Sequence, residues 1–213
     1  LSHRWQIPVL LRMTTRVCHS SGIVVPRPEQ AGPAAVPSFQ RNVKERVMIP
    51  AYARPAHRRL RKKLDEITAR HTGPAPNLVV DGTQRRLGLI TSAVCYAHVR
   101  EAAPQAGVFK IGMTYPLPVE AIKKFAGQYD RVLVIEEGDP YLFESLRAAG
   151  IVVEGKPEEF RFGELNVDRV RKIIDHDITP VPASVPGKPP QLCVGCPHRV
   201  AFETLRRLEC IVS

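Results

Sequence analysis

The chain is 213 residues long, 44% hydrophobic and 24% charged, with 31 basic against 21 acidic side chains for a net charge of +10. That is room for one large domain or two small ones, and too apolar for disorder throughout. No stretch reaches the roughly 18 consecutive apolar residues of a membrane span, and Leu1-Ser2-His3-Arg4-Trp5 lacks the basic, apolar, small-residue order of a signal peptide, so a cytosolic protein is expected.

The first element in chain order is Ile7-Pro8-Val9-Leu10-Leu11, an apolar run with nothing before it. Read as a strand it lacks a neighbour, as though a domain were cut there. Pro26, Pro28, Pro33 and Pro37, followed by Pro50 and Pro55, are expected to prevent regular helix or sheet over most of residues 26–55 and mark a linker. Residues 1–73 hold 14 basic and 4 acidic groups while residues 74–213 hold 17 of each, so all the excess charge is N-terminal. Its densest run is Arg58, Arg59, Arg61, Lys62 and Lys63, on a segment where Leu60, Leu64 and Ile67 recur at i, i+4, i+7; the spacing predicts one amphipathic helix. The first reading of that helix is a solvated basic face whose leucine stripe packs against the body of the protein. Nucleic-acid binding is the lesser reading, because no aromatic side chains are interleaved to stack on bases.

A second breaker, Gly73-Pro74-Ala75-Pro76, leads into apolar runs that alternate with helical patterns. The predicted strands are Asn77–Asp81, Leu87–Thr91, Val108–Gly112, Val132–Glu136 and Ile151–Glu154, mostly β-branched and apolar on both faces, as strands of a covered α/β sheet are. Helices are predicted between them from the spacing of Cys95, Val99 and Ala102, of Val119, Ile122 and Ala126, and of Leu142, Leu146 and Ala149. Asn166 through Asp175 predicts one more, with Val167, Val170 and Ile174 on one side. Pro180, Pro182, Pro186, Pro189 and Pro190 form a second linker, after which a helix with Ala201, Leu205 and Leu208 aligned runs into Cys210-Ile211-Val212-Ser213. That last unit is too short to bury a core of its own, so the sequence reads as a fragment.

The five cysteines, Cys18, Cys95, Cys193, Cys196 and Cys210, form no paired framework and are expected to be reduced. Cys193-x-x-Cys196 is the sharpest local pattern; such a pair can hold half a metal site, act as a redox dithiol or ligate an iron–sulfur cluster. A closed site needs four ligands, and only His198 stands near as a third. Proline linker precedes the pair, so a redox dithiol ranks below a structural turn. Pro197 suits the first turn of a helix, which puts Cys196 near a helix N-terminus that favours anions or a thiolate and makes the place a plausible cofactor wall. Glu136-Glu137 invites a carboxylate-pair reading at a strand end, but a solvated strand end is preferred. His19, after Thr14-Thr15-Arg16-Val17-Cys18, is assigned no role.

In this order the segments resemble the large (alpha) subunit of indolepyruvate ferredoxin oxidoreductase, in the thiamine-diphosphate-dependent 2-oxoacid oxidoreductase family. The residues that carry the resemblance are Pro8 to Ser20, Tyr115-Pro116-Leu117-Pro118, Val132-Leu133-Val134-Ile135-Glu136-Glu137, Gly163-Glu164-Leu165-Asn166 and above all Leu192-Cys193-Val194-Gly195-Cys196-Pro197-His198-Arg199. Val194 departs from the family's usual proline, and Ala93-Val94-Cys95-Tyr96 replaces a glycine-containing turn.

The resemblance implies an α/β fold with a central transketolase C-terminal-like α/β/α sheet domain over 76–176. Residues 1–25 would end a pyrimidine-binding domain, 26–75 and 177–190 would be linkers, the first carrying the basic helix, and 191–213 would open a pyrophosphate-binding domain. It implies oxidative decarboxylation of arylpyruvates such as indolepyruvate to acyl-CoA with electrons passed to ferredoxin, in a complex with a small (beta) subunit, in the cytoplasm. Thiamine diphosphate with Mg2+ and iron–sulfur clusters would be the cofactors. The activating glutamate would lie before Leu1, and the Gly-Asp diphosphate anchor and a cluster domain beyond Ser213, so the fragment alone is expected to be inactive. Cys193, Gly195, Cys196, Pro197, His198 and Arg199 are the candidate cofactor-binding residues, with His198 the candidate catalytic group and Cys193 and Cys196 the candidate metal ligands. The alternative is a stand-alone α/β binding module with a basic N-terminal region, and no membrane partner is expected on either reading.

Overall fold

Side-chain alternation along four strands sorts the apolar residues into two cores, one on each face of a single sheet. The computed structural model describes residues 1–25, 39–71, 76–180, 192 and 194–209. The strands are β1 (Leu78–Val80), β2 (Leu87–Ser92), β3 (Gly107–Ile111) and β4 (Arg131–Ile135), in the order β1-β3-β2-β4. The N-terminal stretch carries helices α1 (Ser2–Trp5), α2 (Thr15–His19), α3 (Val43–Arg46) and α4 (Pro50–Arg70). Around the sheet lie α5 (Cys95–Ala102), α6 (Val119–Ala126), α7 (Tyr141–Ala148), a 3-10 turn at Glu158–Phe160, and α8 (Val167–Ile174); α9 (His198–Arg207) follows. The chain divides into two units, Leu1–Ile178 and Thr179–Ser213.

β2 runs parallel to both of its neighbours, pairing Leu89 with Val108 and Leu133, and Ile90 with Phe109 and Val134. β1 closes the other edge antiparallel to β3. On one face Leu89, Val108, Leu133 and Ile135 meet Cys95 and Val99 of α5 and Val170 and Ile173 of α8. On the other, Ile90, Phe109, Ile111 and Val134 meet Ile122 and Phe125 of α6 and Leu142 and Leu146 of α7. Each such burial is worth about 1.5–3 kcal/mol, which is what holds the three layers together. The expected α/β class is borne out. Gly107 and Gly88 are required here by contact, since a Cβ on either would meet the Tyr129 ring.

Four of the five predicted strands form. The fifth, Ile151–Glu154, makes only one bridge to β4, with Glu154 N donating to Val132 O at 2.8 Å and Val134 N to Glu154 O at 2.9 Å. Just beyond it Lys156 is drawn over the end of β4, where its Nζ donates to Glu136 O and Gly138 O at 2.6 Å each, so the chain leaves the ladder.

The N-terminal readings need correction. Ile7–Leu11 forms no strand, and Leu10 and Leu11 are exposed. Pro50 and Pro55 do not block a helix: α4 begins at Pro50, whose missing N–H is an orphan at the first helical position anyway. Pro55 falls in the second turn and removes only the bond to the Ala51 carbonyl. The leucine stripe is buried only at its end, at Ile67; Leu64 is half-buried and Leu60 is 42% exposed. Arg70 holds that end of α4 over the Trp5 ring, 5.5 Å from its centroid. Pro26 to Pro37, Gly73-Pro74-Ala75, Pro182 to Pro190, Cys193 and Cys210 to Ser213 lie outside the described residues.

Candidate functional site

Gly195 opens the turn of the cysteine motif with φ +77°, a left-handed conformation that glycine adopts without strain. Pro197 follows as the N-cap of α9, and His198 and Arg199 are that helix's first two residues. Arg199 N donates to Cys196 O at 3.2 Å, which ties the turn to the helix. Cys196 is half-buried with a free thiol, and its Sγ lies 3.5 Å from His198 Nδ1. That contact leaves Nε2 of the exposed imidazole as the nitrogen available to a ligand. Arg199 Nε meets Glu203 Oε1 one turn on, at 3.3 Å. The structure therefore brings Gly195, Cys196, Pro197, His198 and Arg199 together at one helix N-terminus; Cys193 lies outside the described residues.

This arrangement offers an imidazole, a thiol and a guanidinium where the helix dipole favours negative charge. Among the described residues, no group of three or more His, Cys, Asp or Glu side chains is placed to hold a metal ion.

A second polar cluster sits at the carboxyl ends of β2 and β4, the end at which open α/β sheets bind ligands. Glu136 is only 6% exposed, which overturns the solvated strand end. Its carboxylate accepts from Leu142 N at 2.7 Å and Phe143 N at 3.0 Å, and so caps α7, which begins one turn later. Burial raises its pKa above the usual 4.5, opposed by those two amides and by Lys156; burial likewise lowers that of Lys156. Glu137 Oε1 accepts from Leu165 N at 3.1 Å. Cys95, buried beside them, has its thiol pushed up to about 12 by burial and then by the Glu137 charge, so it stays protonated and inert. Thr91 Oγ1 is buried there without a hydrogen-bond partner among the described residues. Because Glu136, Glu137 and Lys156 are all satisfied by backbone, the cluster is a clasp that fixes the loop after β4. Lys156 gives no sequence signal, since its partners lie about twenty residues back.

No family model matches the chain. Among curated proteins it is 36% identical to indolepyruvate oxidoreductase subunit IorA of Methanothermobacter thermautotrophicus, over 97% of this chain and 37% of that subunit. It is 32% identical to the same subunit of Archaeoglobus fulgidus, over 98% and 37%, and 30% identical to that of Pyrococcus abyssi, over 97% and 37%. Among solved structures, 2-oxoglutarate:ferredoxin oxidoreductase from Magnetococcus marinus aligns over 62% of this chain and 24% of that chain, with 19% identity and a TM-score of 0.49. What the chain matches, along nearly its whole length, is an oxidoreductase subunit. The subunit it is similar to is IorA of indolepyruvate oxidoreductase, and the family resemblance read from the motifs is borne out. The chain spans 37% of the length of these relatives. Among the described residues no helix is long and apolar enough to cross a membrane.

Proposed function

We propose that the chain is a stretch of the large subunit of an indolepyruvate:ferredoxin oxidoreductase, which oxidatively decarboxylates arylpyruvates to aryl-acetyl-CoA and reduces ferredoxin. The observation that carries this reading is the similarity to IorA subunits over 97% of the chain. In this reading the sheet unit is the transketolase C-terminal-like domain, the small (beta) subunit and ferredoxin are the partners, and the enzyme works in the cytoplasm. The chain is inactive by itself, with iron–sulfur clusters and the diphosphate anchor carried elsewhere in the complex.

Thiamine diphosphate, when bound, supplies the electron sink that decarboxylation of a 2-oxoacid needs. The residues at the N-terminus of α9 suit a wall of its site. Cys196 fixes the His198 ring through Nδ1, so that Nε2 can hold or pass a proton. Arg199, steadied by Glu203, would offer a positive charge to the substrate carboxylate or the diphosphate.

The test is the purified two-subunit complex assayed for CoA-dependent reduction of ferredoxin. Indolepyruvate should support turnover and 2-oxoglutarate much less; a complex inactive with every aryl 2-oxoacid overturns the reading. In that complex His198→Ala should lower kcat about 100-fold while thiamine diphosphate binding, followed by calorimetry, weakens and the fold is kept. Unchanged kinetics and unchanged cofactor binding would remove His198 from the site.

A further inference from the structure

Arg131, the first residue of β4, ties three separated parts of the chain together. Its Nε donates to Glu154 Oε2 at 2.8 Å, its Nη1 donates to the carbonyl of Ile174, the last residue of α8, at 2.7 Å, and its Nη2 lies 2.6 Å from Nε2 of His176, just past that helix. Every nitrogen of a guanidinium is a donor and none accepts. Nε2 of His176 is therefore the acceptor, so the ring is neutral and its hydrogen sits on Nδ1. The same Nε2 lies 3.4 Å from Glu154 Oε2, which an ionised carboxylate meets only as an acceptor. The two contacts thus demand opposite protonation states of one nitrogen. His176 also holds a left-handed φ of +55°, with its N–H on Ile173 O at 3.3 Å and Asp177 N on Lys172 O at 2.8 Å. Its side chain is 62% exposed, so protons reach it, and the first unit of the chain ends two residues on, at Ile178.

We propose that His176 is a pH-sensitive latch at the end of the sheet unit. Neutral, it accepts from Arg131 and pins the segment after α8 to the start of β4. Protonated, its Nε2–H faces a guanidinium that has no lone pair to offer; that contact is lost and the ring turns to Glu154. Arg131 keeps Glu154 and the Ile174 carbonyl in both states, so α8 stays packed on the sheet and only the chain beyond it is released. The other charged groups around the ring are Lys172, paired with Asp177 at 3.0 Å, Asp175 beside it in the chain, and Asp130 beside Arg131. Carboxylates ordinarily titrate below, and lysine above, the interval of about pH 5 to 8 in which histidine changes charge, so the latch responds to the imidazole. It belongs to the first unit and is independent of the oxidoreductase reading.

The experiment is NMR of the 15N-labelled full chain, with the His176 ring signals assigned by their loss in His176→Asn, since asparagine also tolerates a positive φ. At about pH 8 long-range 15N spectra should show the hydrogen on Nδ1 and Nε2 bare; the opposite tautomer overturns the proposal. On lowering the pH from about 8 to about 5, the backbone amide signals of residues 175–178 should move along the same curve as the ring, while those of β4 and the middle of α8 stay in place. In His176→Asn those amides should lose that step; if they keep it, another group is responsible and the latch is refuted. Glu154→Gln removes the carboxylate that receives the protonated ring and should move the step to lower pH by about half a unit or more. A step that stays where it was would show that the ring does not turn to Glu154, and the exchange of partners fails.

Discussion

Helices α8 and α9 carry the same kind of pattern and live in different surroundings. In α8, Val170 and Ile173 are fully buried against the sheet. In α9, Ala201, Leu205 and Leu208 line up as well, yet no residue of the helix is buried. Periodicity thus states which side of a helix is apolar and is silent on whether anything covers that side. Stability follows the covering, so the cooperative core lies where side chains are fully buried, in the sheet unit.

The comparison is broken or sharpened most strongly by truncating one side chain in each helix. Ile173→Ala should cost about 2–5 kcal/mol in urea unfolding, through lost burial and the cavity left between α8 and the sheet. Leu205→Ala, at a half-buried position in a helix without a fully buried residue, should cost less, about 1 kcal/mol. Equal losses at the two sites would mean that α9 is as well packed as α8.

A smaller effect separates the clasp from the surfaces around it. Glu136→Gln puts an amide NH2 where one of two backbone N–H groups needs an acceptor, and should cost about 1–3 kcal/mol. Its pH dependence has a definite sign. A carboxyl whose pKa is raised above 4.5 by folding binds more protons in the native state than in the unfolded chain. Stability is therefore full below 4.5 and declines as pH rises through the raised value. The Gln variant should lack that decline, so the gap between the two proteins narrows toward neutral pH. Parallel curves of stability against pH for the parent and the variant would show that Glu136 is not the buried group responsible.

The sheet was legible because β2, β3 and β4 bury both faces, and a run such as Leu89-Ile90 next to Val108-Phe109 has no other economical arrangement. Local spacing also placed α5 to α8, since each must cover that sheet. Hidden from the sequence was whatever depends on chain brought back from a distance. Glu136 reads as solvated until Lys156 and the start of α7 close over it, and Leu60 reads as packed although the structure leaves it 42% exposed. Pro55 misleads for a local reason: one missing hydrogen bond near a helix start is a small loss in a 21-residue helix. At the candidate site, the turn at Gly195 and the helix beginning at His198 were legible from Gly-Cys-Pro-His, whereas the Sγ to Nδ1 contact, which sets the nitrogen left free, was not.

The smallest expected effect concerns strain rather than burial. Ala93, between β2 and α5, has φ +48°, at the turn where the family resemblance led us to expect glycine. Its carbonyl accepts from Tyr96 N at 3.3 Å, so the turn is held as α5 begins and the left-handed residue cannot relax without disturbing the helix start. An alanine there is strained by contact of its Cβ with the backbone. Because Ala93 is exposed, removing its methyl group leaves no cavity. Ala93→Gly should therefore stabilise the sheet unit by about 1 kcal/mol, the relief of strain outweighing the greater freedom of glycine in the unfolded chain, and raise the melting temperature by a few degrees. Glu209, just past α9, has a similar φ of +52°, but Glu209→Gly should leave the main unfolding transition where it is, because it lies in the second unit, beside a helix with no buried residue. A shift at position 209 matching that at 93 would show the two helices to be parts of one cooperative unit; a shift at 93 alone confirms that strain registers in global stability only where packing holds it in place.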